Sequence, residues 1–528
     1  MRLNERTQVD LSQMRTFADI ARFHARERPE ALALSFAGRK TTFSRFDQRT
    51  NQVANALLRE GVRQGDRISY LGKNSDIYFE LLFGAAKVGA VMAPISWRLA
   101  VPEVSHVLKH AATRVLFLEG VFSSLAEAAI AASSPRIITL GGERADYEVW
   151  LDAAPISDPG IEINAHDVAM QLYTSGTTGL AKGAMISHDN VISIWRRNAE
   201  AGEAWSIWTP ADVSLLAMPI SHIGGTGWGI VALLNGASSV IVSEFSPEST
   251  LDAIEHQGVS KLFLVPSALR MVLQLPLARE VNYGRIKNIL YGASPIAPDL
   301  LRECIEVFQC DFCQLFGMTE TSGPVTCLPP EDHDLSGNQR MRGAGKATPG
   351  VELRILDEAG QQLPANTVGQ IATRSSSNMK GYWRDPEATA ATIDKDGWLM
   401  TGDAGFLDVD GYLYIKDRIK DVIISGGENI YPTEVENAIY GHPGIADVAV
   451  IGVPDEKWGE AVKAIVVSKP EAHLSSEDVI TFARTRIAAF KAPKSVDFVN
   501  ALPRNAAGKV LRRLLREPYW ASRERNVN

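Results

Sequence analysis

Cysteine is scarce in this chain, which has four among 528 residues, all between positions 304 and 327. So few cysteines exclude a small secreted fold held together by disulfides. Cys310 and Cys313 form one Cys-x-x-Cys pair, but a structural zinc site normally has a second Cys or His pair at regular spacing, which Cys304 and Cys327 do not supply. We predict that the four thiols are small buried hydrophobes in a reducing compartment.

Long apolar runs and an excess of basic charge are also missing. The most apolar region, residues 81–94, is interrupted by Lys87 and is too short to span a bilayer, and the first residues lack the apolar stretch of a signal peptide. The formal net charge is -8, which gives no reason to expect a nucleic-acid partner. We expect a cytoplasmic protein that binds small molecules, has no integral membrane association and is free to form a homo-oligomer.

Alternating apolar runs and helical patterns predict an α/β fold. An apolar run at residues 67–71 is followed by a helical pattern over residues 79–88 and by a second run at residues 91–95. This β-α-β rhythm, which recurs as far as residue 291, favours parallel sheets covered by helices. Because 528 residues are too many for a single core, we predict two α/β sheets with helices, followed from about Gly350 by a β-rich subdomain of short strands and turns.

The end of the chain is predicted to form a second, smaller α/β domain. A charged segment at residues 417–421 precedes a helix, two strands, a helix and a final strand. We assign residues 1–417 to a large N-terminal domain, residues 418–421 to a hinge and residues 422–528 to a small mobile C-terminal domain.

Glycines, hydroxyls and one lysine are concentrated at residues 173–183, with the sequence YTSGTTGLAKG. Such a loop is suited to wrapping phosphates, because glycine lets the backbone approach an anion while hydroxyls, N–H groups and a lysine supply donors. It is not a Walker P-loop, since Lys182 is followed by Gly183 and not by Ser or Thr. A flexible surface linker is the alternative that composition alone leaves open.

Four further segments place reactive groups next to apolar runs. YGASP at 291–295 ends a strand with small residues, as occurs where a flat ligand lies against the backbone. QLFGMTE at 314–320 offers a ring, a hydroxyl and a carboxylate for a base, a phosphate and Mg²⁺. WLMTGD at 398–403 places a carboxylate at a turn, where it can accept hydrogen bonds from ribose, and PRNAAGK at 503–509 ends in a lysine on a flexible mount.

Together and in this order, these segments closely resemble the adenylate-forming superfamily of acyl-CoA synthetases, aryl-CoA ligases, peptide-synthetase adenylation domains and firefly luciferase. The resemblance extends from about residue 16 to residue 516. Through residues 414–432, YIKDRIKDVIISGGENIYP, it looks most like bacterial fatty acyl-CoA synthetases. It implies a ligase that uses ATP, Mg²⁺ and coenzyme A to form acyl-AMP and pyrophosphate, and then acyl-CoA and AMP.

The resemblance also implies roles for individual residues. Lys509 matches the lysine that bridges the carboxylate substrate and the α-phosphate, Thr319 the α-phosphate contact, and Glu320 the Mg²⁺ carboxylate. Phe316 stands where the family usually has Tyr, so stacking on adenine is expected without the hydroxyl contact. The other implied ligand contacts are Thr174, Ser175, Gly176, Thr177, Thr178 and Lys182 for phosphates, Gly292, Ala293 and Ser294 for adenine, Asp403 and Arg418 for ribose, and Gly426 for the pantetheine tunnel.

Residues 219–228, PISHIGGTGW, match the family segment that lines the acyl site. By this resemblance, His222 is a gate or wall near the acyl carboxylate, although a lone histidine is often structural. Gly224 and Gly225 remove side chains that would shorten a pocket, which favours a fatty or bulky acyl group, whereas Trp228 could close the pocket again. The segment has no charged residue placed for a second carboxylate, which disfavours dicarboxylates.

Three functional classes remain open. The first is an acyl-CoA synthetase for medium- or long-chain fatty or bulky acids, with an aryl-CoA ligase for hydroxycinnamate or benzoate as the alternative. The second is an adenylation enzyme that loads a carrier protein, and the third is a nucleotide-binding protein without activity, which the complete set of motifs disfavours. One site cannot hold pyrophosphate and the CoA thiol in the same place, so the small domain is expected to rotate about a pivot at Lys420.

Overall fold

The protein was analysed as a computed structural model that describes residues 8–130, 135–141, 146–174, 180–294, 296–333, 338–470, 472–504 and 510–521. Within these ranges the helices are α1 (Phe17–Glu27), α2 (Phe43–Arg59), α3 (Asp76–Ala86), α4 (Val101–Ala111), α5 (Ser123–Ile130), α6 (Tyr147–Asp152), α7 (His188–Glu200), α8 (Ile223–Leu234), α9 (Pro247–His256), α10 (Pro266–Leu273), α11 (Pro298–Phe308), α12 (Pro386–Thr392), α13 (Pro432–Tyr440), α14 (Ser476–Arg484) and α15 (Arg512–Trp520).

The strands in the same ranges are β1 (Leu32–Phe36), β2 (Arg39–Thr42), β3 (Arg67–Leu71), β4 (Val91–Ile95), β5 (Val115–Glu119), β6 (Arg136–Leu140), β7 (Val168–Thr174), β8 (Lys182–Ser187), β9 (Val213–Leu216), β10 (Ser238–Ile241), β11 (Lys261–Leu264), β12 (Asn288–Gly292), β13 (Asp311–Met318), β14 (Gly323–Leu328), β15 (Lys346–Ala347), β16 (Glu352–Leu356), β17 (Gly369–Arg374), β18 (Leu399–Leu407), β19 (Leu413–Arg418), β20 (Ile423–Ser425), β21 (Glu428–Ile430), β22 (Ile445–Asp455), β23 (Gly459–Ser468) and β24 (Ser495–Phe498).

Two large sheets form the N-terminal part, as the β-α-β rhythm predicted. One has the strand order β15-β14-β13-β12-β11-β9-β10-β1-β2 and the other β6-β5-β3-β4-β7-β8. Their inner strands are parallel, while β2, β14 and β15 in the first sheet and β8 in the second are antiparallel to their neighbours. The predicted unit over residues 67–95 is confirmed as β3, α3 and β4.

A helical layer fills the space between the two sheets. Helix α3 contacts β1 of the nine-stranded sheet and β7 of the six-stranded sheet, and nearly all its side chains are buried. A helix that is apolar all round belongs in the interior, which explains the apolar run that begins near Leu81. Lys87 at its end is fully buried, with its Nζ 2.5 Å from Asp47 Oδ1 and 2.5 Å from Asn51 Oδ1 on α2.

Among the described residues, no helix combines the length and the apolar composition needed to cross a bilayer.

Two smaller sheets follow. The predicted β-rich subdomain is an antiparallel sheet of order β16-β17-β18-β19. Beyond it, β20 to β24 form a five-stranded sheet that packs with α13 and α14. Strand β19 ends at Arg418 and β20 begins at Ile423, so the predicted hinge lies between the last strand of one sheet and the first strand of the next.

Three of the four cysteines are buried, as predicted. Cys304, Cys313 and Cys327 are buried, while Cys310 is partly exposed. Burial raises the pKa of the Cys304 thiol to about 12, so it remains a neutral, inert thiol.

Candidate active site

One cavity of about 770 Å³ lies where the large sheets, the four-stranded sheet and the C-terminal segment meet. We call one part the polar end, which is lined by Thr174, Lys182, Thr319, Glu320, Arg418 and Lys420. We call the other part the apolar end, which is lined by Val191, Trp195, Met218, Ile223, Trp228, Phe263, Val265, Leu315 and Pro324. A mainly apolar pocket with a few convergent polar groups is the usual form of a small-molecule site.

The predicted phosphate loop connects the two strands of a β-hairpin. Thr174, the last residue of β7, pairs directly with Lys182, the first residue of β8. Lys182 Nζ lies 3.9 Å from Asp385 Oδ2 and 5.3 Å from the centroid of the Tyr382 ring. Thr174 and Lys182 both line the cavity. The predicted contacts Ser175, Gly176, Thr177 and Thr178 lie outside the described residues.

Glu320 is a buried carboxylate at the polar end, with a relative exposure of 5%. It sits in a short 3₁₀ turn, Thr319–Thr321, directly after β13. Its Oε1 accepts hydrogen bonds from Thr174 Oγ1 at 3.0 Å and from Tyr382 OH at 2.9 Å. Burial and the neighbouring Glu320 charge raise the pKa of Tyr382, so this hydroxyl remains a donor.

The surroundings of Glu320 fit Mg²⁺ bound together with a nucleotide. Both donors contact the same oxygen, Oε1, and within the described residues this leaves Oε2 for a further ligand. Mg²⁺ is commonly held by one or two carboxylates together with substrate phosphates and water. In the described part of the chain, no group of three or more His, Cys, Asp and Glu could hold a metal ion by itself. A metal here would therefore depend on phosphate oxygens.

The segment predicted to lie along adenine has an unusual backbone. A Cβ on Gly292 would lie 2.2 Å from the carbonyl oxygen of Leu315 on β13, so close packing of two strands requires this glycine. Ala293 (φ 66) and Ser322 (φ 58) are both left-handed and both line the cavity. Such conformations cost on the order of 1–3 kcal/mol and concentrate at functional sites. Gly292 and Ser294 do not line the cavity, so their adenine contacts remain predictions.

Asp403 and Arg418 are brought together by the β-sheet. They are directly opposite on β18 and β19, and Arg418 Nε lies 2.7 Å from Asp403 Oδ1. The prediction that Asp403 lies at a turn was wrong, because it lies inside β18. The glycine at position 402 suggested a turn, and its φ is 74. A glycine inside a strand also permits an irregular register, and the β18–β19 pairing shifts between Ala404 and Gly405. Arg418 lines the cavity and Asp403 does not.

Phe316 contacts a different part of the protein from its neighbours on β13. It packs against a cluster of Ala344, Ile355, Ile371 and Leu413 and is not among the described residues that line the cavity. Stacking of Phe316 on adenine therefore remains a prediction.

The C-terminal segment reaches the polar end. Lys509 lies outside the described residues, but Val510, which follows it, lines the cavity. Val510 also forms an antiparallel bridge with Arg504, so these two residues, which flank Lys509 in the sequence, lie next to each other. Lys420 lines the same end, and burial lowers its pKa although Asp421 opposes this.

Arg512 ties this segment to the predicted hinge. Its Nη1 lies 3.2 Å from Asp417 Oδ1 and 3.6 Å from Asp421 Oδ2, and its Nη2 lies 2.8 Å from Glu436 Oε2. Burial alone would lower the pKa of Arg512, but the charges of Glu436 and Asp417 more than offset it, so the pKa is raised. The guanidinium is a permanent cation that holds three carboxylates from different parts of the chain.

Gly426 lies in the turn between β20 and β21, away from the residues that line the cavity. Its φ is 61, and an added Cβ would lie 2.7 Å from Cε3 of Trp458. Its predicted role in a pantetheine tunnel remains a prediction.

His222 lines the cavity and is the N-cap residue of α8. Its Nε2 is buried and has no hydrogen-bond partner among the described residues. Burial, with a smaller contribution from Arg98, lowers the pKa of His222 to about 4. The imidazole is therefore neutral at physiological pH and carries a buried nitrogen without a partner among the described residues, while its position near the acyl carboxylate remains a prediction.

The three glycines of the predicted acyl segment differ in what an added side chain would contact. Gly225 lines the cavity, and a Cβ on it would lie 2.2 Å from Pro219 O, so backbone packing also requires this glycine and its effect on pocket length remains a prediction. A Cβ on Gly224 would lie 2.9 Å from Phe263 Cε1. At Gly227 the nearest atom, Ile223 Cδ1, would be 3.5 Å away, so this is the position where a side chain could extend into the pocket.

Aromatic rings form the wall of the apolar end. Trp228 is buried and its Nε1 donates to Leu215 O at 3.1 Å. Its ring centroid lies 5.0 Å from that of Trp208 and 6.1 Å from that of Phe263. The indole of Trp228 is therefore held in place by a hydrogen bond and by ring packing, and it lines the cavity as a fixed wall.

Sequence reasoning missed Tyr382, Trp195 and Phe263. Tyr382 belongs to an irregular segment that hydrogen-bonds along β8, with Trp383 N donating to Gly183 O at 2.8 Å. Trp195 lies on α7 and Phe263 on β11. A Gly-Tyr-Trp run at 381–383 was the available signal for Tyr382, whereas nothing local distinguished Trp195 or Phe263 from ordinary core residues.

Comparison with known proteins gives matches over nearly the whole chain. The AMP-binding enzyme family matches residues 21–383, and the AMP-binding enzyme C-terminal domain matches residues 434–509. The fatty acid–[acyl-carrier-protein] ligase ScoC of Streptomyces coeruleorubidus is 40% identical over 98% of this chain and 99% of its own length. A feruloyl-CoA synthase of an Amycolatopsis species is 36% identical over 94% of this chain and 97% of its own length.

The solved structures include two forms of one enzyme. ATP-bound MatB from Rhodopseudomonas palustris is 33% identical, with a TM-score of 0.86 over 94% of this chain and 99% of that chain. Apo MatB is 32% identical, with a TM-score of 0.76 over 96% of this chain and 99% of that chain. The structure of this chain is therefore more similar to the ATP-bound form of MatB than to its apo form.

Proposed function

Since this chain belongs to the AMP-binding enzyme family of adenylate-forming ligases, we propose that it is an acyl-CoA synthetase that activates a carboxylic acid with ATP and transfers the acyl group to coenzyme A. The observation that carries this proposal is the continuity of the cavity. Polar residues suited to phosphate binding, including Glu320 and Lys182, line the same cavity as the apolar residues, and His222 lines it as well. An acyl chain and a triphosphate can thus be held with their reacting groups together.

In the proposed first half-reaction, a carboxylate oxygen attacks the α-phosphorus of ATP, the bond to the β-phosphate oxygen breaks and pyrophosphate leaves. The carboxylate and triphosphate repel each other, so the site must neutralise their charge. Lys182 and Arg418 lie at the polar end for this purpose, and Lys509 is proposed to bridge the two reactants. Glu320 is the residue that would hold Mg²⁺, which would neutralise phosphate charge when bound.

In the proposed second half-reaction, the CoA thiolate attacks the acyl carbon and AMP leaves with the bonding electron pair. This divides one difficult reaction into two easier ones. The small domain is proposed to rotate about residues 418–421 between the two steps, with Gly426 entering the thiol path. The higher TM-score with ATP-bound MatB than with apo MatB supports a starting arrangement suited to adenylation.

The apolar end favours a monocarboxylic acid with an apolar body. Its described lining residues carry no charged side chain, so a second carboxylate would be buried without a partner, which is costly. Medium- or long-chain fatty and bulky acids are the proposed substrates. The aromatic wall around Trp228 and the similarity to a feruloyl-CoA synthase keep aryl acids as the alternative.

A second candidate acceptor is the thiol of a carrier protein. The specific observation in its favour is the 40% identity, over nearly full length, to a fatty acid–[acyl-carrier-protein] ligase. Both acceptors would use the same adenylation step, so they differ only in what approaches the acyl-AMP.

The test is a panel of acids from acetate to palmitate, with benzoate and ferulate, assayed for AMP release without a thiol, with CoA and with a phosphopantetheinylated carrier protein. We expect AMP release to depend on an apolar acid and to be strongest with CoA. Stimulation by the carrier protein alone would favour the second candidate. If no acid supports AMP release under any condition, the proposed function is wrong.

A further inference from the structure

Helix α4 contacts both ends of the predicted phosphate loop from outside the cavity. Its apolar positions Val104, Val107 and Leu108 are buried in a cluster with residues of β3, β4 and β5. His106 and His110, one turn apart, are partly exposed and contact the β7–β8 hairpin. Residues four apart share a helix face, so one rigid face of α4 carries both imidazoles.

The outgoing end of the loop is held by His106. Its Nε2 lies 2.9 Å from the carbonyl oxygen of Ala181, and because a carbonyl only accepts, the imidazole donates this hydrogen bond. Ala181 immediately precedes Lys182, so the bond fixes the peptide plane from which Lys182 enters β8. The side chain of Lys182 then reaches the cavity.

The incoming end is held by His110 through Tyr173. Gln171 Nε2 donates to Tyr173 OH at 2.9 Å, and Tyr173 OH lies 2.9 Å from His110 Nδ1. The tyrosine oxygen accepts from Gln171, and with Nδ1 of His110 unprotonated the tyrosine hydroxyl donates its proton to that nitrogen. Burial, with a smaller contribution from His106, lowers the pKa of His110, in agreement with a neutral ring.

This network is anchored beyond the hairpin. Arg67 Nε donates to Gln171 Oε1 at 3.0 Å, and its guanidinium lies 3.3 Å from the centroid of the Trp383 ring. Trp383 Nε1 in turn donates to His110 O at 3.1 Å. These contacts form a closed ring that runs from Arg67 on β3 through Gln171 and Tyr173 on β7 to His110 on α4, and returns to Arg67 through Trp383. Each member of the ring therefore restrains the others.

We propose that His106, together with the Tyr173–His110 pair, positions the two ends of the phosphate loop so that Thr174 and Lys182 face the nucleotide phosphates beside Glu320. His106 and His110 are positioning residues, because neither imidazole lines the cavity in the described part of the chain, whereas Tyr173, through which His110 acts, does line it. The inference rests on the proposed function in one respect, namely that the hairpin binds ATP.

The test measures the ATP dissociation constant directly, by equilibrium dialysis with Mg²⁺, and the KM values for ATP and CoA with the best acid of the panel. His106→Leu removes the donor at similar size, His106→Gln retains an amide donor, and Tyr173→Phe removes only the hydroxyl. Lys109→Leu, on the exposed side of the same helix, is the matched control. Loss of one hydrogen bond to a loop end predicts an ATP dissociation constant about tenfold higher for His106→Leu and about threefold higher for Tyr173→Phe.

His106→Gln and Lys109→Leu should stay within about twofold of the wild type, and the KM for CoA should be unchanged in every variant. Unchanged ATP binding in His106→Leu or Tyr173→Phe would overturn the proposal, as would an equal rise in the KM values for ATP and CoA, which would indicate a general structural role. If His106→Leu does not fold, Tyr173→Phe and His106→Gln decide the result. A wild type that binds ATP but activates no acid would refute the proposed function alone.

Discussion

The two ends of the cavity are assembled from the chain in different ways. At the polar end, short motifs bring chemistry with them: Thr174 and Lys182 belong to one hairpin, and Thr319 and Glu320 are adjacent. At the apolar end, Trp195, Trp228 and Phe263 come from α7, α8 and β11. A phosphate-binding site needs particular residue types at particular spacings, whereas an acyl pocket needs only apolar side chains that leave a cavity of suitable shape. The first end should therefore tolerate almost no substitution, and the second should change specificity before it loses activity.

The largest effect is expected for Lys509→Ala. Removing the cation proposed to bridge carboxylate and α-phosphate should slow acyl-AMP formation by about 10³-fold, because a charge that develops in the transition state loses its partner. Thioester formation from supplied acyl-AMP should change less than about threefold. Single-turnover assays of each half-reaction measure both, with exposed Lys494→Ala as the control. Equal losses in the two half-reactions would contradict this role.

The second-largest effect on adenylation is expected for Glu320→Gln. The amide oxygen can still accept from Thr174 and Tyr382, so the substitution mainly removes charge. We expect adenylation to fall about a hundredfold and its Mg²⁺ optimum to rise, since a neutral ligand holds the cation less well. A Mg²⁺ titration of pyrophosphate exchange measures this, with exposed Glu331→Gln as the control. An unaltered Mg²⁺ optimum would argue that Glu320 is only structural.

Gly227→Val tests the apolar end. The added side chain has room at its Cβ and should occupy the acyl pocket without disturbing the polar end. We expect kcat/KM for the longest accepted acid to fall about ten- to a hundredfold, while the KM for ATP stays constant. Gly227→Ala should have a much smaller effect. If short and long acids lose activity equally, the residue does not set acyl size.

The pH dependence of unfolding tests whether burial lowers the pKa values of the buried histidines. Burial lowers the pKa of His24, His188 and His222 to about 4 in each case, below the unfolded value near 6.5. Between these values the unfolded chain binds more protons, so acidification favours unfolding by at most about 1.4 kcal/mol per pH unit for each histidine. Urea unfolding at pH 7.5, 6.5, 5.5 and 4.5 should show a shallower slope for His222→Gln. The same slope as the wild type would mean that His222 binds protons equally in the folded and unfolded states, so that burial does not lower its pKa.

The smallest effect is expected at a contact between the large and small domains. The Arg270 guanidinium of α10 lies 4.4 Å from the centroid of the Tyr440 ring of α13. Arg270→Leu should slow adenylation about two- to fivefold, because a cation–π contact that supports this arrangement is lost. Tyr440→Phe keeps the ring and should behave like the wild type. An equal effect of both variants on adenylation would show that the cation–π contact is not responsible.

Much of the fold followed from the sequence, because β3, α3 and β4 have strong local periodicity. At the site, the chain order of Thr174, Glu320 and Arg418 could be read from motifs that specify chemistry. Tyr382 could not, because its position depends on an irregular segment that is fixed only by pairing with β8. The turn expected at Asp403 was wrong because a glycine such as Gly402 indicates a constraint on the backbone without showing whether a turn, a strand or a neighbouring carbonyl creates it.

Arg512 gives the small domain a mechanical property. It contacts Asp417, which precedes the predicted hinge, and Asp421, which follows the predicted pivot at Lys420, and it follows Lys509 by three positions. A rotation at residues 418–421 would separate these two carboxylates, so the guanidinium could not keep both. Withdrawal of the lysine and opening of the ion pair would then be a single event, and because the Arg512–Asp417 pair is largely shielded from water, added salt would weaken it much less than a surface pair.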